Sequence, residues 1–148
     1  IEGHDYSRLT YSLVYSGIIQ EYALDFVRSH DSAEEDFHLA DKDWDGFVAF
    51  AKTKEFDYRS SAKTYFDRMK KELEKDGLSK NMSAELDALQ KALEMDKETF
   101  LKLKKDEIVP FIEEEIAVRY HFQEAGIKIR LRYDEQLKKA LASPMIEL

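Results

Sequence analysis

"DKDWDGFVAFAK", residues 41–52, can be read in two ways that lead to different folds. As an EF-hand calcium loop it offers acidic side chains at 41, 43 and 45 and a glycine at 46. As a helix it places Trp44, Phe47, Val48 and Ala51 at i, i+3, i+4 and i+7 on one face. The ligand count weighs against calcium. An EF-hand loop closes on a bidentate glutamate at its twelfth position. Here that position is Lys52, whose ammonium repels the ion, and Glu55 comes too late to substitute. A helix is therefore expected from about 42 to 54. Asp41 would be its N-cap, with Asp43 and Asp45 in a first turn whose dipole favours negative charge. Gly46 becomes a modest helix cost rather than a metal turn.

Outward from this stretch the apolar spacing stays helical. Upstream, Ile19, Ala23, Phe26 and Val27 fall at helical intervals, and Gly17 marks a break between two helices expected to pair. Residues 31–45, "DSAEEDFHLADKDWD", read as an acidic connector, in which Phe37 and Leu39 alternate around His38 as in a short extended piece. Downstream, Ala62, Tyr65, Phe66, Met69 and Leu73 predict a buried helical face that ends at Gly77, with Leu78 folding back on the last turn. Leu86, Leu89, Leu93, Phe100 and Leu103 continue at heptad-like intervals, with Asp96 where an apolar residue is due, and complete an antiparallel helical hairpin. Pro110 predicts a restart or kink near 109. Ile112, Ile116 and Tyr120 make the next stripe. Asp134 is expected to cap a last helix with Leu137, Ala140 and Leu141 inward and Pro144 after it. The fold class is all-α: an irregular bundle of about six or seven helices with a short extended connector, forming one domain over 1–148.

Composition narrows the function. A formal charge of -8 with no basic run argues against nucleic acid as a partner. Cysteine is absent, which excludes disulfides, thiolate zinc sites and a cysteine nucleophile. No apolar stretch is long enough to span a bilayer. The opening "IEGHDYSRL" lacks methionine and reads as the start of an excised piece, with Ile1–Gly3 either native or an appended remnant.

Side chains that could carry chemistry are scattered. His4, His30, His38 and His121 have no histidine partner four residues away and read as surface or boundary residues. Glu113, Glu114 and Glu115 point in different directions around a helix, so they read as a solvated run rather than a paired acid and base. No serine sits at a strand-to-helix elbow. No catalytic, cofactor-binding or metal residue is therefore assigned, and no cofactor is expected. The tyrosines Tyr6, Tyr11, Tyr15, Tyr22, Tyr58, Tyr65, Tyr120 and Tyr133 suit core edges or a docking surface.

Three stretches carry a resemblance: "SGIIQEYALDFVRSH" at 16–30, "FHLADKDWDGFVAFAKTKEFDY" at 37–58 and "EEEIAVRYHFQEAGIKIRLRYDEQLKKAL" at 113–141. Together they resemble the segment that follows the protease domain in bacterial carboxyl-terminal processing peptidases, or tail-specific proteases, particularly those of the Bacteroidetes. The resemblance covers 6 to about 142. It implies a non-catalytic C-terminal accessory domain whose serine, lysine base and PDZ domain lie upstream, in a periplasmic or envelope-anchored enzyme. Its partners would be those upstream domains, with protein substrates or a second copy as further partners. It carries over no catalytic residue. The alternative is a free-standing helical interaction domain that binds through its acidic connector and tyrosines. Upstream sequence encoding a PDZ and Ser/Lys protease region separates the first from the second; calcium sensing, the third class, rests on "DKDWDG" alone.

Overall fold

Ser7 opens the first helix by accepting the Thr10 amide on its hydroxyl at 3.3 Å. The structure, a computed structural model, describes the backbone of residues 6–146 and the side chains of 6–134. Helix α1 (Arg8–Tyr15) packs on α2 (Ile18–Ser29) across Gly17, whose φ of 82° lets the chain turn without a Cβ penalty. The connector follows, with bends at 31, 35 and 36 and no strand. Then come α3 (Asp41–Lys52), α4 (Ser61–Lys75), a 3₁₀ turn (Ser79–Met82), α5 (Ser83–Leu93), α6 (Lys97–Leu103) and α7 (Lys105–Ile146). The expected all-α fold is observed, with seven α-helices and no strand among the described residues.

The stretch at 41–52 is a helix, and its four apolar positions are all buried: Trp44, Phe47, Val48 and Ala51. They join Leu9, Leu13, Ile19, Ala23 and Phe26 of α1 and α2 with Phe100 and Leu101 of α6 and Ile108, Ile112 and Ile116 of α7 in one core. Burying each such large side chain contributes about 1.5–3 kcal/mol. Asp41 is not the cap. Ala40 holds that position and makes no side-chain bond, while Asp41 begins the helix itself and reaches Lys105 Nζ at 3.5 Å. Asp41 and Asp43 act on the dipole from within the first turn. Lys52 pairs with Glu98 of α6 at 2.9 Å. A Cβ added at Gly46 would meet only the Tyr22 hydroxyl, at an ordinary 3.7 Å. Gly46→Ala is therefore expected to raise stability by about 1 kcal/mol in urea denaturation, whereas an obligatory turn glycine would lose stability on the same change.

Downstream, several expectations need correction. Helix α4 does close at Gly77 (φ 74°), with the Leu78 amide bonded to the Leu73 carbonyl at 2.9 Å and the Gly77 amide to Glu74. Its apolar stripe, however, is not a buried face. Only Phe66 is buried, Leu73 is half-buried, and Ala62, Tyr65 and Met69 are exposed. The reason is architectural: α4 and α5 pack on each other and on the 3₁₀ turn as a projecting hairpin, which has an inner side and, among the described residues, no second helix packed closely over it. Asp96 does not interrupt a heptad. It ends the hairpin and caps α6, accepting the Thr99 amide at 2.7 Å. The helix restarts at Lys105 and runs through Pro110 with helical dihedrals, because the carbonyl that Pro110 leaves without its donor belongs to water-exposed Asp106.

The sharp kink falls instead at Phe122 (φ 66°, ψ -173°), where α7 folds back so that its second arm packs along the first. Ala117, Ala125 and Ile129 fill the seam, and a Cβ on Gly126 would lie 2.5 Å from Val118. No helix begins at Asp134, since α7 runs past it through Pro144 to Ile146. The inward facing assigned to Leu137, Ala140 and Leu141 lies outside the described side chains, as does His4.

Candidate functional site

The fold-back at Phe122 gives the connector something to lie against. The Tyr120 hydroxyl donates to the His30 carbonyl, and the His121 ring to that of Ala33. From the second arm, the Arg132 guanidinium donates to the Phe37 carbonyl at 3.1 Å and to Asp36 at 2.6 Å, holding the Asp36 carboxyl below its ordinary range. Between the arms sits Glu113, 2% exposed. Its carboxylate accepts the Leu39 amide at 2.7 Å, an Arg132 N–H at 3.0 Å and the Tyr133 hydroxyl. One buried carboxylate therefore ties connector, first arm and second arm together, its charge and lone pairs satisfied from both sides. Glu113 is therefore not part of the solvated run expected at 113–115. Spacing within the helix could not show that Arg132 and Tyr133 return to it, although "RLRYD" did offer a cation and a hydroxyl.

Burial raises two tyrosines, Tyr133 at this clamp and Tyr22 in the main core. Tyr133 is pushed up to about 12, first by burial and then by Glu113; Tyr22 is pushed up to about 12 by burial and then by Asp43, while its hydroxyl donates to the Asp43 carbonyl at 2.8 Å. Their folded values lie above the ordinary value near 10, so the folded state keeps protons that the unfolded chain releases. Their contribution is fully present below pH 10 and is lost as pH rises towards 12. Denaturation midpoints measured across this window should fall. The double variant Tyr22→Phe, Tyr133→Phe should fall less steeply than the parent.

The projecting hairpin is the opposite kind of surface. Tyr65 is 65% exposed, Met69 43% and Leu89 42%, with Leu78 and Met82 near its tip. Lys70 reaches Gln90 across the hairpin at 3.4 Å, and Arg8 reaches Thr64 at 3.3 Å, so its base is tied to the body. Where base and body meet lies a groove of about 880 Å³. The described histidines do not converge: His30 stacks on Phe26 at 3.8 Å, His38 lies beside Asp36, and His121 holds the connector. Among the described residues no three of His, Asp or Glu gather as a metal cage. No helix among them is long and apolar enough to cross a membrane.

Comparison with protein families places this architecture. The family model described as the C-terminal helical domain of a probable PDZ-protease matches residues 9–143. The chain belongs to this family. No curated protein and no solved structure matches it. In this PDZ-protease helical domain, the stretches that carried the resemblance are α2, the connector's end with α3, and the arms of α7. All three contribute to the buried body. The hairpin of α4 and α5 lies between them in sequence and outside them in space, as an appendage of the domain.

Proposed function

We propose that the chain is a non-catalytic accessory domain of a carboxyl-terminal processing serine peptidase, acting in the periplasm or cell envelope, and that it braces the protease core to which it is joined. The family match over 9–143 carries this reading, because it relates the chain to a domain that accompanies a protease and a PDZ unit. The geometry supports it. A body locked by Glu113 keeps its shape, while the hairpin presents Tyr65, Met69 and Leu89 to solvent, and an exposed apolar surface of that kind marks a contact with another domain.

The brace is tested on the hairpin. Tyr65→Ser with Met69→Ser should leave the melting temperature of the 148-residue chain unchanged and should lower that of the protease core in the full-length enzyme. The chain alone should leave an unstructured polypeptide uncut. Hydrolysis by the chain above a no-enzyme control, or an unaltered protease core in the hairpin variant, would contradict the proposal.

A further inference from the structure

The groove at the hairpin's base is lined by none of the three side chains assigned to the brace, Tyr65, Met69 and Leu89. It runs between the start of α1, the approach to α4, the α5–α6 turn and the start of α7. Tyr58, Leu93, Met95, Phe100 and Leu103 give it an apolar lining, of which Leu103 is 62% exposed and Met95 39%. Most of its charged groups are engaged within the fold. Lys63 pairs with Asp67 at 3.0 Å, Lys104 with Glu107 at 3.3 Å, and Asp96 caps the Thr99 amide. Two are not. Among the described residues Arg8 hydrogen-bonds only the neutral Thr64 hydroxyl, at 3.3 Å, and Asp57, whose charge reaches it, is itself held by Arg59 at 3.1 Å. Glu94, on the α5 side, makes no ion pair and no side-chain hydrogen bond among the described residues.

The complement of such a groove is an apolar run with a carboxylate facing Arg8 and a cation facing Glu94. A cavity of about 880 Å³ falls within the 300–1,000 Å³ range of formed binding sites. We propose that the groove binds a short extended segment of another polypeptide: apolar side chains on the lining, one acidic side chain at Arg8 and one basic side chain at Glu94. The inference goes beyond the bracing role and requires no protease domain. The apolar contacts give affinity, and the two charges set the direction in which the segment lies.

The methionines report on it. The wild-type chain, methyl-labelled at methionine, is titrated with two N-acetylated, C-amidated octapeptides, with leucine, valine and tyrosine between a glutamate and a lysine placed in either order. One order should bind with a Kd on the order of 10–100 μM, moving the Met95 resonance and leaving Met69 and Met82 in place. Arg8→Glu should weaken that peptide at least about fivefold, and a version with lysine replacing the glutamate should recover the loss, since the charge is then reversed on both sides. The wild-type titration stands even if that variant fails to fold. No saturation below about 1 mM, movement of Met69 and Met82 in place of Met95, or undiminished affinity in folded Arg8→Glu would overturn the proposal.

Discussion

Arg132→Ala is expected to destabilise the chain by about 3–5 kcal/mol in urea denaturation at neutral pH. The loss comes less from the contacts of Arg132 than from what is left behind, a Glu113 carboxylate 2% exposed whose cationic partner has gone. Glu113→Gln added to Arg132→Ala removes the stranded charge and keeps an acceptor for the Leu39 amide, so the double variant should recover part of the loss. If Arg132→Ala costs less than about 1 kcal/mol, the pair behaves as an exposed surface bridge and the clamp described here is wrong.

Phe47→Ala is expected to cost about 3–5 kcal/mol, which lowers the melting temperature by roughly ten degrees in a chain of this size. Phe47 is fully buried, edge-on to Tyr22 at 5.2 Å and stacked with Trp44 at 5.7 Å, so truncation opens a cavity in the middle of the main core. In a calcium loop the same position would contribute a backbone carbonyl and its side chain would matter little. Lys52→Glu is the companion variant. It supplies the carboxylate that a calcium loop requires, yet residues 41–52 are helical, so millimolar calcium should not raise its melting temperature.

Legibility in the sequence followed the range of the forces involved. The four apolar positions of α3, the break at Gly17 and the closure at Gly77 depend on neighbours within one or two turns, and periodicity exposes them. Asp96 shows where that logic fails, since a missing apolar residue in a heptad and an N-cap look alike until the chain's turn is known. The α4 stripe carries the pattern of a buried face because α4 does pack on α5, with Phe66 buried and Leu73 half-buried. No local signal distinguishes a stripe with one neighbour from a stripe enclosed on all sides. The fold-back at Phe122 was beyond reach: no glycine or proline marks it, and the conformation at Phe122 is one that non-glycine residues rarely adopt. The clamp is hidden along with that turn, because Glu113 and Arg132 meet only across it.

The central claim, that this domain braces a protease, is tested most directly by calorimetry of the full-length enzyme with and without residues 1–148. Removal should lower the melting temperature of the protease core and reduce its processing of an unstructured substrate. A core that melts at the same temperature and cleaves at the same rate without the domain would contradict it.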